Sequence, residues 1–368
     1  MMKANQILIT GGDGYLGRRL ATRYLEQTDS AVVLWMRAAD EQEFRAKREN
    51  LARAFEEFGP RVSFLHGDLV NDEPFESVDS TSIQKIIHAA SVIRFNVDQE
   101  TARRVNIEGT ERLLRFAGGC KNLEAFALLS TVYASGLRPG VIEEAQLDCA
   151  AGFANFYEQS KWASEAMLMR EFDHLPWQVF RVATVIADSG GGHVTQYNAF
   201  HNTLKLFYYG LLSLIPGVPD TPVYFVTGDF VADSVFELMS AREGKTIYHV
   251  SHTQRESLTL GELIDAAFEV FEQDEDFRMR RVLKPLYSDA ESFDILVDGI
   301  SAFGGGIVNQ AVSSVAPFGK QLFIKKDILN SNLASGLRDY RAPDARSLML
   351  DTCRYLVKTR WGKRDQHG

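Results

Sequence analysis

The sequence predicts an α/β fold, a doubly wound parallel sheet with helices on both faces and a smaller, mostly C-terminal lobe. Three observations predict it. Apolar runs of strand length alternate with amphipathic helical stretches through the first half of the 368 residues. The first of those runs ends in a glycine cluster that opens directly into a helix. Beyond Asp188 the alternation loosens into glycine-, aromatic- and turn-rich segments.

Ile7-Leu8-Ile9-Thr10 reads as the first strand, and Tyr15 to Gln27 follows as a helix with Leu16, Leu20, Tyr24 and Leu25 at helical spacing. The start of the chain, leading straight into the glycines, is expected to be that strand rather than a signal peptide. Ala31 to Met36 is a second buried strand with Arg37 directly behind it, and Glu41 to Phe58 a charged amphipathic helix. Val62 to Asp68 gives a third strand and Ile83 to Ala90 a fourth with a small-residue ending. A helix over Thr101 to Ala117 leads to the fifth strand, Phe126 to Thr131, and a helix over Phe156 to Phe172 leads to the sixth, Gln178 to Ala187. Val223 to Val226 and Thr246 to Val250 are expected to return to the same sheet. In such a sheet ligands bind at the carboxyl ends of the strands, which is where the motifs below fall.

Composition narrows the function. Charged residues make up 24% and hydrophobic residues 45%, and no apolar run approaches the ~20 residues that span a bilayer. A cytoplasmic protein is expected. A net charge of −9 argues against non-specific nucleic-acid binding, which needs a positive field. The three cysteines, Cys120, Cys149 and Cys353, have no spacing that suggests a metal site or an all-paired disulfide framework.

Gly11-Gly12-Asp13-Gly14-Tyr15-Leu16-Gly17 sits between the first strand and the first helix. A pyrophosphate approaches backbone only where side chains are absent, so Gly11, Gly14 and Gly17 would allow the turn, the approach and the helix packing of a Rossmann-type dinucleotide site. The Gly-x-x-Gly-x-x-Gly spacing differs from the commonest such fingerprint. At the end of the second strand an acidic residue would bind a ribose 2′-hydroxyl, whereas a basic one would pair with a 2′-phosphate. That position holds Arg37, which favours NADP, with Arg45 and Lys47 as helpers. Asp68 and Leu69 after the third strand are candidates for holding the adenine, and Ala89 and Ala90 after the fourth for letting backbone pass close to the cofactor. Residues 1–188 are accordingly assigned to an NADP-binding domain whose sheet is completed by residues 223–250, and residues 189–222 and 251–368 to a substrate-binding lobe.

Tyr157 and Lys161 lie four residues apart and share a helix face. A nearby ammonium is expected to lower the phenol from about 10 toward neutrality and make it a competent acid for carbonyl reduction. Ser130 and Thr131 end the fifth strand, one of them placed to hydrogen-bond the same carbonyl oxygen, and Thr131 is the choice.

With these residues the chain resembles the extended short-chain dehydrogenases/reductases: Gly11-x-x-Gly14-x-x-Gly17, Asp68-Leu69, His88-Ala89-Ala90, Asn106-x-x-Gly109-Thr110, Ser130-Thr131 and Tyr157-x-x-x-Lys161 carry the match over roughly residues 5–260. Arg37-Ala38, His88 to Phe95 and Ser130-Thr131-Val132 make it most similar to the thioester-reductase and fatty acyl-CoA reductase (male sterility type) branch. The resemblance implies that Lys161 also holds the nicotinamide ribose and that Asn106 sits in a proton relay. Where the branch often has Val-Pro-Val-Asp, this chain has Val226-Thr227-Gly228-Asp229, a departure on the substrate side.

The expected function is NADPH-dependent reduction of a carbonyl, above all an acyl thioester bound to coenzyme A or an acyl carrier protein, to an aldehyde or alcohol. Phe200, Leu204, Phe207, Tyr208, Leu211 and Leu212 are candidates for the acyl site or for ordinary core, and Arg278, Arg280, Arg281 and Lys284 for docking an acidic carrier or for a solvated face. Alternatives are a reductase of free aldehydes or ketones, a sugar-nucleotide epimerase or dehydratase, which Arg37 disfavours, and a non-catalytic NADP-binding sensor, which the intact Tyr157, Lys161 and Thr131 disfavour. The helices Thr101 to Ala117 and Phe156 to Phe172 are candidates for pairing across a two-fold axis in a homodimer.

Overall fold

The computed structural model describes residues 5–241, 244–303 and 315–363. Seven strands form its central sheet: β1 (Gln6–Thr10), β2 (Ala31–Met36), β3 (Val62–His66), β4 (Ile83–His88), β5 (Ala125–Thr131), β6 (Trp177–Val182) and β7 (Thr246–Val250). Their order is β7-β6-β5-β4-β1-β2-β3, and every ladder is parallel. The chain reverses direction across the sheet between β1 and β4, and that switch point opens a crevice at the strands' carboxyl ends.

All strands but the edge strand β3, whose Ser63 and His66 are exposed, are largely buried on both sides, and alternate residues feed two cores. Ile7, Ile9, Leu34, Ala127 and Leu129 face one way, among side chains of helices α1 (Tyr15–Gln27) and α6 (Gly228–Ser240). Leu8, Val33, Trp35, Phe126 and Leu128 face the other, against α3 (Gly109–Gly119) and α4 (Phe156–Glu171). Between β2 and β3 runs α2 (Glu41–Ala54), capped by the Asp40 carboxylate on the Glu43 N–H at 2.8 Å; Gly59 and Pro60 turn the end of the predicted helix into a short 3-10 segment. α3 is entered through Gln99–Thr101 and a π-helix over Ala102–Glu108, a widened turn of a kind frequent at functional sites.

The predicted sixth strand splits. Trp177–Val182 stays in the sheet, whereas Thr184–Ala187 leaves it and pairs in parallel with Phe225–Thr227. Hydrogen bonding makes the break: the Ala183 N–H still donates to Val250 O, and the next N–H, of Thr184, donates to Tyr224 O. The Val223 to Val226 run is therefore not a strand of the main sheet, and Thr246–Val250 alone completes it.

A third core gathers α5 (Ala199–Tyr208), α7 (Leu260–Phe271) and α8 (Ala345–Lys358), with Leu204, Phe207, Phe268, Phe271, Met349 and Trp361 buried together. Leu204, Phe207, Tyr208 and Leu212, expected as candidates for an acyl site, belong to this core.

Candidate active site

The glycine turn is built as its residues predict. Gly11 has φ +68°, and a Cβ there would stand 2.9 Å from Ala90 N, so only glycine lets the turn lie beside the end of β4. The Gly14 N–H donates to Gly11 O at 2.9 Å and Gly14 opens α1, while a Cβ at Gly17 would strike Gly11 O. Unpaired N–H groups at the start of α1 thus face a cleft of about 1110 Å³. Gly11, Asp13, Gly14, Tyr15, Leu16 and Gly17 line it, as do Arg37, Asp68, Leu69, Ala89 and Ala90. Gly12 does not. It is buried with its Cα against Leu34, where a Cβ would clash.

Arg37 projects from the end of β2, its side chain 72% exposed and its Nε paired with Asp68 Oδ2 at 2.8 Å. Asp68, expected at the adenine, is thereby the anchor that aims this guanidinium. Lys47 Nζ meets Arg37 O at 2.7 Å and pairs with Asp13 and Glu43 at 3.0 Å, which makes it a second fixed cation at this corner. Arg45 lies exposed on α2 and does not line the cleft.

At the other end of the cleft Thr131, Tyr157 and Lys161 come together, all less than 9% exposed. Burial pushes the Tyr157 phenol well above its ordinary value, and the neighbouring Glu158 and Tyr133 add to that, while a hydrogen bond with Thr131 opposes it. Lys161 is not the group that relieves the phenol. Its ammonium donates to Leu129 O at 2.7 Å, and burial brings it down to about 8 against the pull of Glu165.

Two other predicted residues have different partners. Ser130, next to Thr131, also lines the cleft, but its hydroxyl donates to Glu165, which forms a fully buried ion pair with Arg181 at 2.7 Å. Asn106, expected in a proton relay, has its amide fully committed: Oδ1 accepts from Ser91 Oγ and Val92 N, and Nδ2 donates to Val92 O and Ser160 Oγ, all at 2.8–3.0 Å. It clamps the loop after β4 onto α4, and the π-turn sets it facing that loop. Behind it, Thr110 Oγ1 donates to Asn106 O, so the bond between His88 Nε2 and Thr110 Oγ1 at 2.9 Å makes Nε2 the protonated nitrogen, and Thr10 Oγ1 donates to Nδ1 at 2.7 Å. Burial and the charge of Lys161 hold His88 down to about 3, so this imidazole stays neutral.

The clamped loop delivers a residue that ends the His88 to Phe95 stretch of the resemblance but has no expected role in the site. The Phe95 ring lies 5.7 Å from the Tyr157 ring, 5.9 Å from Tyr133 and 5.7 Å from Phe318. With Tyr133, Thr184, Phe200 and Pro317 it walls the cleft beside the phenol. Asp188 was also missed. It receives Tyr15 Oη at 2.7 Å, Thr195 Oγ1 at 2.9 Å and Arg19 at 3.1 Å, and the Tyr15 ring lies where a Cβ of residue 228 would be, which explains glycine there. Arg278, Arg280, Arg281 and Lys284 lie outside the cleft: Arg280 stacks on Tyr208 and Tyr209 and Lys284 pairs with Asp265, leaving Arg278 and Arg281 exposed. No helix among the described residues is long and apolar enough to cross a membrane.

Comparison with known proteins bears on this arrangement. The model of the male sterility protein family matches residues 9–235. A carboxylic acid reductase of Segniliparus rugosus is 25% identical over 306 residues, 70% of this chain and 25% of that protein, so the chain spans about a quarter of its length. Fatty acyl-CoA reductase 1 of Homo sapiens is 27% identical over 150 residues, 36% of this chain and 29% of that one. Among solved structures, the terminal R domain from the myxalamid PKS-NRPS biosynthetic pathway superposes with a TM-score of 0.74 at 21% identity, covering 98% of this chain and 92% of that one. UDP-glucuronic acid 4-epimerase from Bacillus cereus, in complex with NAD, gives 0.67 at 17% identity, covering 97% and 99%. These two structures share the fold.

Proposed function

The chain belongs to the male sterility protein family, and on that premise we propose that it is an NADPH-dependent reductase of acyl thioesters. The observation that carries the reading is the single cleft that joins the glycine turn and Arg37 at one end to Thr131, Tyr157 and Lys161 at the other. The residues present fit the cofactor: glycine at position 11 lets the turn lie close against the end of β4, the start of α1 offers free N–H groups to a pyrophosphate, and Arg37 at the edge of the cleft, with Lys47 behind it, offers a cation to a 2′-phosphate. A thioester as substrate is supported by the family and by the relatives named carboxylic acid reductase and fatty acyl-CoA reductase. An acyl carrier as its bearer is supported by the likeness to the R domain of a PKS-NRPS pathway.

When bound, the reduced nicotinamide supplies hydride to the carbonyl carbon. The chain's own groups do the rest. The hydroxyls of Thr131 and Tyr157 converge on the carbonyl oxygen, Thr131 stabilises the charge that develops there, and Tyr157 gives up its phenolic proton. Lys161, cationic below about 8 and tied to Leu129 O, would hold the nicotinamide ribose. With a thioester, the protonated adduct expels thiol and leaves an aldehyde; a second hydride and proton would give the alcohol. The deep burial of Tyr157 keeps the phenol protonated until charge appears on the substrate. A cytoplasmic setting fits the three free thiols of Cys120, Cys149 and Cys353.

The test is NADPH oxidation with acyl-coenzyme A thioesters, the matching aldehydes and simple ketones, in wild type and Tyr157→Phe. Thioester turnover that drops by about 10² or more in the mutant supports the reading. Turnover of free carbonyls alone moves the protein to the carbonyl reductases, and NADPH binding without any turnover moves it to the sensors.

A further inference from the structure

Tyr157 lies in the first turn of α4, and that turn is held by a part of the chain remote in sequence. The helix cap is local: Asn155 Oδ1 accepts from the Glu158 N–H, and Glu158 returns its carboxylate to the Ala154 N–H, both at 3.0 Å. The same carboxylate reaches further, because Gln321 Nε2 donates to Glu158 Oε2 at 2.9 Å and to Gly136 O at 3.1 Å. Lys326 Nζ donates to Ser135 Oγ at 2.8 Å and to Gly136 O, and Asn155 Nδ2 donates to Pro317 O at 3.0 Å. Strand Lys326–Ile328 pairs in parallel with Gly140–Ile142, which fixes the register of the whole contact. Glu158, Gln321 and Lys326 are all less than 8% exposed, and their polar atoms are spent on one another and on this turn.

The segment that makes these contacts also walls the cleft. Pro317 lines it, and Phe318 touches Phe95, which touches the Tyr157 ring. A buried carboxyl, a buried ammonium and a buried amide are expensive features for a contact that apolar side chains would make as well. Burial drives Glu158 up and Lys326 down, each opposed by the other's charge. The groups facing the carboxyl are Tyr133 from the turn after β5, Gln321 and Lys326 from the C-terminal segment, and Asn155 and Tyr157 from its own helix.

We infer that Glu158, Gln321 and Lys326 are positioning residues, a buried latch that fixes the first turn of α4 to segment 317–328 so that the proton donor and the acyl-side wall keep one geometry. The inference rests on the reductase reading for its kinetic consequence and on the contacts alone for its mechanical one. A displacement of about 1 Å at a reacting group can lower the rate by about 10²-fold, which is the scale on which such a latch acts.

The experiment uses Gln321→Leu, which removes the two amide bonds, and the charge-balanced pair Glu158→Gln/Lys326→Met, so that no ion is left buried alone. Amide hydrogen exchange is measured over residues 153–162 and, as a control, over residues 8–18, together with kcat, KM and the pH profile for a thioester. The expected result is exchange at least about tenfold faster over 153–162 with the control unchanged. kcat should fall about tenfold or more at unchanged Kd for NADPH, and the pH profile should shift in the charge-balanced pair but not in Gln321→Leu. Unchanged exchange over 153–162 overturns the latch. A fall in activity that follows only the loss of folded protein, with the wild-type pH profile, reduces it to ordinary packing and overturns it equally. A wild type that turns over no thioester refutes the reductase reading instead, and the exchange result then decides the latch by itself.

Discussion

If Arg37 reads a 2′-phosphate as proposed, replacing it with alanine should remove most of the advantage of NADPH over NADH, and the size of the effect follows from where the guanidinium sits. A unit charge pair about 4 Å apart is worth about 4 kcal/mol at the effective dielectric of a protein surface and about 1 kcal/mol in water. The Arg37 side chain is 72% exposed and already shared with Asp68, so the lower part of that range applies. About 1–2 kcal/mol corresponds to roughly five- to thirtyfold in Kd. Lys47 remains on Arg37 O and Asp13 as a residual cation, which caps the loss. The assay is calorimetric titration of wild type and Arg37→Ala with NADPH and NADH at low and high salt. NADPH should weaken by that factor and NADH by about twofold at most, and salt should narrow the gap because an exposed pair is screened. Equal weakening of both cofactors would show that Arg37 shapes the strand end without reading a phosphate, and no weakening of either would remove it from the site.

Other outcomes are equally specific. Gly11→Ala places a Cβ 2.9 Å from Ala90 N at φ +68°, a conformation that disfavours side chains by about 1–2 kcal/mol, so the variant should fold with a lower Tm and lose the further rise in Tm that NADPH gives wild type; a full rise would contradict the cradle. His88 and His249 are held down to about 3 by burial, with Lys161 and Arg181 adding to it, so each is neutral in the fold and binds a proton more readily once unfolded. Their contribution is complete above the ordinary histidine value of 6.5 and is lost as pH falls below it, at up to about 1.4 kcal/mol per pH unit for each. Urea denaturation at a series of pH values should show this decline, and stability that stays flat down to about pH 5 would refute it. Lys161 loses its proton near 8, so kcat should fall above that pH while Kd for NADPH changes little, and activity constant to about pH 10 would deny the ammonium its role.

Much of the fold was legible because its signals are local. A strand buried on both faces reads as a continuous apolar run, and β1, β2 and β5 carry such runs beside residues that only the strand ends need, Gly11, Arg37 and Thr131. What escaped depends on distant partners. Nothing in Gln178 to Ala187 shows that Thr184 will bond to Tyr224, and apolar spacing cannot tell a pocket wall from a core, so Phe200 lines the cleft while Phe207 does not. Phe95 closes a motif that says nothing of where its ring will go, and Gln321 has no motif at all; their positions follow from the Asn106 clamp and from a strand pairing across some of the longest separations in the chain.

The π-helix at Ala102–Glu108 holds one residue more than an α-helical path would need. Deleting a single residue there would let the ladder relax to stronger α-helical bonds and give a sturdier helix. It would also rotate Asn106 by about 100° away from Val92, freeing the loop that presents Phe95 to the phenol. Durability and aim pull in opposite directions at this turn, so a search for heat-resistant variants that ignores turnover would be drawn toward shortening it, and the hardened protein would have lost its grip on the group beside its proton donor.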